Sequence, residues 1–167
     1  GNINSNKMIL HELTTLNKIG PTENTKRAFP SWLRVQLSNN ISELIYDDFR
    51  ASSFNGEIKY NNYLFTGKNI TLKTLEGSMN LDFELKEPTN KYIVLNTSID
   101  CDKINIRKAF NSFNNFNQQF IDEEEVNGIG TAEINIESHW KPGFIFDDKK
   151  LKIKSHLIIE KGELIDF

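Results

Sequence analysis

Residues 78–85, with the sequence SMNLDFEL, alternate strictly between apolar and polar side chains. The apolar members are Met79, Leu81, Phe83 and Leu85. A period of two is typical of a β-strand that has one apolar and one solvated face. A shift of the pairing by one residue would turn Asp82 and Glu84 toward the apolar side, so the alternation also fixes the register. This segment therefore predicts a sheet whose two faces differ in chemistry.

The same alternation recurs along most of the chain. In residues 132–137, AEINIE, the side chains of Ala132, Ile134 and Ile136 share one side and the intervening polar groups the other. Such segments are separated by turn residues such as Asn61-Asn62, because asparagine tolerates positive φ. Strands joined by tight turns are antiparallel. We therefore expect a curved, mostly antiparallel sheet of about eight to ten strands.

Two segments depart from the period of two. Residues 5–19, SNKMILHELTTLNKI, place apolar side chains at helical spacing, with Ser5 positioned to cap the start and Gly20 to end the helix. Residues 106–120 place a second stripe on one helical face, formed by Ile106, Phe110, Phe113 and Phe120. The expected fold class is therefore mainly β, of the α+β type, with two helices.

Composition limits the classes of function. The 20 Lys and Arg residues are outnumbered by 23 Asp and Glu, and a net charge of −3 offers no basic patch for nucleic acid. One cysteine, Cys101, excludes an internal disulfide. The length suits a single domain over residues 1–167. Gly1 resembles the remnant of a cleaved tag and the chain stops within a strand pattern, so we expect a fragment of a longer protein.

The sequence shows no cluster of chemically reactive side chains. His11, His139 and His156 are far apart in the chain, and Cys101 lies in a predicted strand without an evident base. The adjacent carboxylates at Asp47-Asp48 and at 147–148 lie in predicted turns, where they point apart. We therefore expect no catalytic residues, no metal and no cofactor, and a non-enzymatic protein. An enzyme is the less favoured alternative, because active sites can assemble from distant residues.

Residues 41–85 resemble the AsmA family of bacterial envelope proteins. The resemblance rests on an ordered series of short elements, which are Tyr46-Asp47, Gly56, Ile70 with Leu72, and Gly77-Ser78-Met79. A second similar region consists of GIGTAEINI at 128–136 and KLKIKSHLIIEKGELIDF at 150–167. Together these regions cover more than half of the chain. The helix at 106–120 departs from the pure strand array of the family.

The resemblance implies a cell-envelope role. It implies the periplasmic part of a protein anchored in the inner membrane of a diderm bacterium, with phospholipid as a possible partner in lipid transport or outer-membrane biogenesis. The side chains expected to form the apolar surface, here called the predicted face, are Met79, Leu81, Phe83, Leu85, Ile134 and Ile136. This face either lines an open groove or packs under the helix that bears Phe110, Phe113 and Phe120. The second arrangement would make the chain a self-contained α+β protein-interaction or scaffold domain with a closed core.

Overall fold

A computed structural model describes residues 1–9, 31–89, 92–141 and 144–165, and these residues form one open sheet of nine strands. The strands are β1 (Asn2–Ser5), β2 (Met8–Ile9), β3 (Arg34–Tyr46), β4 (Phe49–Asn61), β5 (Leu64–Thr74), β6 (Gly77–Thr89), β7 (Tyr92–Asn105), β8 (Val126–Lys141) and β9 (Ile145–Leu164). Between β7 and β8 lie one helix, α1 (Ile106–Ser112), and a 3₁₀ turn (Asn114–Asn117). The prediction of a mainly β, mostly antiparallel sheet is confirmed.

The long strands follow one another across the sheet in chain order. From β3 to β9 each strand pairs antiparallel with the next, which makes a simple meander. The two short strands β1 and β2 pair in parallel with β3 and lie at one edge, while β9 lies at the other. The two edges therefore differ greatly in length, since β9 alone has 20 residues.

Two of the turns have the backbone conformation that two-residue hairpins require. Asn62 and Tyr63 between β4 and β5, and Leu75 and Glu76 between β5 and β6, all have positive φ. Consecutive positive φ values define the turn whose twist matches that of antiparallel strands. The first turn was predicted at Asn61-Asn62 and lies one residue further on, because Asn61 still pairs with Leu64.

The prediction of a helix over residues 5–19 is wrong at its start. Ser5 ends β1, and the side chains of Met8 and Ile9 belong to β2, which pairs with β3 at Leu44 and Ile45. The hydroxyl of Ser5 accepts from the Lys7 amide in a local turn instead of capping a helix. Met8 also packs against the buried core, which favours the strand. Residues 10–19 lie outside the described residues.

The second predicted helix is much shorter than expected. Helix α1 begins at Ile106, with the side chain of Asn105 accepting from the Lys108 amide, and ends at Ser112 rather than near Phe120. Residues 114–117, NNFN, all have positive φ. Asparagine enters this left-handed region at low cost and is a poor helix former. The asparagine-rich sequence therefore ends the helix, and the described residues contain one α-helix instead of two.

The hydrophobic cluster here called the core lies in the first half of the meander, while Ile93, Val126 and Ala132 are buried farther along it. Its fully buried members are Leu44, Ala51, Ile70 and Leu72. Six further apolar side chains pack around them, which are Met8, Phe49, Phe54, Met79, Leu81 and Phe83. The core therefore spans strands β2 to β6 and is formed by the same alternation that predicted the strands.

Candidate binding face

One face of the sheet is apolar from β5 to β9. Residues directly opposite each other on antiparallel strands lie on the same face, so the register defines its membership. The four aligned rows, here called the apolar face, are Phe65-Leu85-Leu95-Ser138, Gly67-Phe83-Thr97-Ile136-Ile153, Ile70-Leu81-Ile99-Ile134-Ser155 and Leu72-Met79-Cys101-Ala132-Leu157. No charged side chain lies in these four rows, and their polar members are neutral hydroxyls.

All six residues of the predicted face belong to this surface. Leu81 lies opposite Ile99, which in turn lies opposite Ile134. Phe83 and Ile136 are brought together in the same way through Thr97. The rings of Phe65 and Phe83 also contact each other, tilted by 50°, at a centroid distance of 5.3 Å. The sequence thus placed these side chains on one surface through the period of two, while the partners on β5, β7 and β9 follow from the register.

The two central rows of the apolar face become more exposed from β5 toward β9, whereas Cys101 and Ala132 in the fourth row are buried. Ile70 on β5 is only 2% exposed. Leu81, Phe83, Ile134 and Ile136 in the middle are half-buried. On β9 the exposed fractions reach 56% at Ile153 and 54% at Leu157. The face is therefore a closed core at one side and an open surface at the other.

Helix α1 covers only the end of this surface. A Cβ added at Gly130 would lie 3.4 Å from the Ile106 side chain, and a Cβ added at Gly128 would lie 3.3 Å from it. Ile106 therefore packs over these two glycines at the start of β8. Farther along, the Phe113 ring stacks on Phe49 at 5.5 Å. Phe120, predicted to cover the sheet, is 85% exposed. The shortened helix therefore does not place the predicted phenylalanine stripe over the centre of the apolar face.

The opposite face carries charged groups around a shallow depression of about 550 Å³. Its lining includes Lys68, Asp82, Glu84, Asn96, Glu137 and Lys152. The sequence marked these residues only as solvated positions. The sequence did not show that Lys68 lies at an irregularity of β5. There the pairing with β6 shifts between Gly67 and Ile70.

Asp82 holds this irregularity in place. Its two carboxylate oxygens accept from the Lys68 ammonium at 2.8 Å and from the Asn69 amide at 2.8 Å. Asn69 has positive φ, a backbone conformation that is uncommon for residues other than glycine. The hydrogen bond from its amide to the Asp82 carboxylate stabilises this conformation. The hydrogen bond from Lys68 is the main reason that the pKa of Asp82 is lowered, and desolvation opposes it.

Replacing Lys68 with methionine is expected to raise the pKa of Asp82 toward the ordinary aspartate value. Because the folded-state pKa is lowered, its stabilising contribution is present above the ordinary pKa and is lost as the pH falls through the folded-state value. Carboxyl-carbon NMR titration measures this shift directly. Lys59→Met is the matched control, since Lys59 pairs with Glu57 instead. An unchanged Asp82 titration in Lys68→Met would contradict the assignment.

Within the part of the chain that the structure describes, the remaining reactive side chains do not converge. His139 contacts Glu137 at 2.9 Å, and this hydrogen bond is the main reason that the pKa of Glu137 is lowered. His156 is exposed on β9, and the Cys101 thiol is buried on the apolar face, where burial raises its pKa. Among the described residues no group of three or more His, Cys, Asp or Glu side chains is placed to hold a metal. His11 lies outside the described residues.

Within the described parts of the chain, none of the helical structure has the length and apolar character needed to cross a bilayer. Neither a protein-family model, nor a curated protein, nor a solved structure matches the sequence. The functional inference therefore depends on the surfaces of the sheet.

Proposed function

We propose that the chain is a non-enzymatic module of the cell envelope that binds phospholipid acyl chains along its apolar face. The observation that carries the proposal is the set of four uncharged rows, half-buried at Phe83 and Ile136 and open at Ile153. A continuous apolar surface of this kind supports a binding role. An acyl chain suits this surface because hydrocarbon needs no hydrogen-bond partner. Its binding is stabilised in proportion to the apolar area that is removed from water.

The resemblance to the AsmA family supports the choice of phospholipid over other apolar ligands. It also supports a periplasmic location, a parent protein anchored in the inner membrane, and a part in phospholipid transport or outer-membrane assembly. These assignments are proposals that depend on the short sequence elements between Tyr46 and Met79. The charged opposite face suits a surface that remains in water while the apolar face holds lipid.

A second candidate is a protein-interaction or scaffold domain with a closed core. The fully buried cluster of Leu44, Ala51, Ile70 and Leu72 favours it. That cluster, however, closes only the β3–β5 side of the sheet. The two candidates differ in what a charge does on β8. On an open binding face it repels acyl chains and leaves the fold intact, whereas in a closed core it unfolds the protein.

Ile136→Glu is expected to reduce phospholipid binding about tenfold or more, because a carboxylate on the apolar face must be desolvated against the acyl chain. The matched control is Asn135→Glu, the adjacent residue on the opposite, solvated face. Both purified variants and the unaltered protein are incubated with vesicles of phosphatidylethanolamine and phosphatidylglycerol that carry a fluorescent phospholipid. Lipid retained per chain after re-isolation is the measurement, and circular dichroism melts report the fold.

Retention by the unaltered protein and Asn135→Glu, with loss in a folded Ile136→Glu, supports the lipid face. Unfolding of Ile136→Glu alone would indicate the closed core. Absence of retained phospholipid on the unaltered protein would reject the proposal.

A further inference from the structure

Strand β9 presents a long edge with open hydrogen-bonding capacity. It pairs with β8 on one side, and none of the described strands pairs with its other side. Apart from Asp147, its side chains are exposed throughout Ile145–Leu164. An edge strand of this kind carries a row of unpaired amide and carbonyl groups that can recruit a further strand. Short edges, prolines and charged side chains, lysine above all, usually prevent such pairing. Strand β9 is long and has no proline, but it carries five lysines, so a partner strand must offset their charge.

The regular part of this edge is confined between two irregularities. Pairing with β8 runs without a shift from Ile129↔Glu160 to Glu137↔Lys152. On one side the register shifts beyond Glu160, where Lys161 has positive φ, and on the other it shifts beyond Lys152. The straight segment is therefore residues 152–160, KIKSHLIIE, with His156 at its centre.

The charges of this segment are complementary to the same segment running in the opposite direction. An antiparallel copy centred on His156 places Lys152 opposite Glu160 of the second copy, and Glu160 opposite its Lys152. Opposite charges directly across a strand pair are stabilising. The pair forms twice because a two-fold axis relates the two copies. A shift by two residues, centred on Leu157, would still pair Lys154 with Glu160 of the second copy. It would, however, set residues 152 and 153 against the irregularity at Lys161 of that copy.

The side chains of the apolar face agree with the same register, whereas Ile158 on the other face would lie opposite Lys154 of the second copy. Ile153 would lie opposite Ile159 of the second copy, and Ser155 opposite Leu157. Ile153 and Leu157 belong to the apolar face, and all the paired positions differ by an even number. Along an edge strand, only every second residue has its amide and carbonyl pointing toward a new partner strand. Two copies of the same strand can therefore pair antiparallel only if the numbers of paired residues differ by an even number. The apolar faces of the two copies would then lie on the same side of one sheet.

We propose that two copies of this chain associate through β9, antiparallel and centred on His156, to form one continuous sheet. The contact is isologous, so it closes after two copies and leaves no β9 edge for a third. This inference does not rest on lipid binding, since the register follows from charge, irregularities and parity.

Sedimentation equilibrium over about two decades of protein concentration tests the proposal through the dimer dissociation constant Kd. Glu160→Lys is the primary variant, because Lys152 also contacts Glu137 of its own chain at 2.9 Å. It replaces two attractive pairs by two repulsive ones, and we expect Kd to rise about tenfold or more. Asp100→Lys, the same change of charge on an exposed site of β7, should leave Kd unchanged.

Charge exchange distinguishes this register from other contacts. Lys152→Glu combined with Glu160→Lys should restore the dimer, and the two single variants, mixed together, should form heterodimers. Circular dichroism of each variant confirms that the fold is kept. A monomer at all concentrations of the unaltered protein would overturn the proposal, and so would a double variant whose Kd stays as high as that of Glu160→Lys.

Discussion

Ile70→Asp is expected to unfold most of the protein at room temperature. Ile70 is 2% exposed and lies in the buried cluster with Leu44, Ala51 and Leu72. A carboxylate there would lose its water without gaining a partner. We expect a cost above about 4 kcal/mol, the range in which burial of an unpaired charge falls. That cost is a large part of the roughly 5–15 kcal/mol by which a domain is stable.

Urea unfolding followed by circular dichroism measures this loss of stability. Ile145→Asp makes the same chemical change at an isoleucine that is 58% exposed on β9, and we expect it to change the free energy of unfolding by less than about 0.5 kcal/mol. Equal losses in the two variants would show that the core does not lie around Ile70. A fully stable Ile70→Asp would contradict the burial of this side chain.

Gly77→Ala is expected to cost about 1–3 kcal/mol, the usual penalty for forcing extra atoms into a packed site. A Cβ on Gly77 would overlap the carbonyl oxygen of Asp102 and lie 2.7 Å from the carbonyl carbon of Lys103. The contacting atoms are main chain, so no side chain can move aside. Lys103 also has positive φ at a shift in the β7–β8 register, which fixes the backbone there.

Thermal denaturation of Gly77→Ala beside Gly130→Ala separates this clash from the general effect of removing a glycine. At Gly130 the nearest atom to an added Cβ is Ile106 Cγ1 at 3.4 Å, an ordinary contact. There alanine should be neutral or should stabilise the strand by about 0.5–1 kcal/mol, since it lowers the entropy of the unfolded chain. A Gly77→Ala variant that melts with or above Gly130→Ala would contradict the close approach.

Alternation predicted the sheet because the long strands from β3 to β8 each have one face in contact with other apolar side chains, while β9 is exposed on both faces. The segment around Phe83 shows this most clearly, because its alternating apolar residues pair without a shift with residues on the same face of β7. The residues of the predicted face were available from the sequence for the same reason. The sequence did not show how much of the predicted face is covered by other side chains, because that depends on the residue at which α1 ends.

Local patterns failed where pairing with a distant segment decided the structure. Residues 5–19 have apolar side chains at helical spacing, but pairing of Met8 with Leu44 imposes a strand on residues 8–9. The positive φ of Asn69 is likewise set by its contact with Asp82, which is distant in sequence. The free edge at β9 emerges only when the order of all nine strands is known.

The meander has a consequence for cooperativity. Because every strand from β4 to β9 pairs only with its neighbours along the chain, the free energy of this part of the sheet is close to a sum of nearest-neighbour terms along a line. Detachment of β9 breaks only its pairing with β8 and leaves the other strand pairs intact. Detachment of β5 breaks its pairing with both β4 and β6 and exposes the core. Unfolding should thus begin as fraying at β9 and meet its largest barrier at the strands around Ile70.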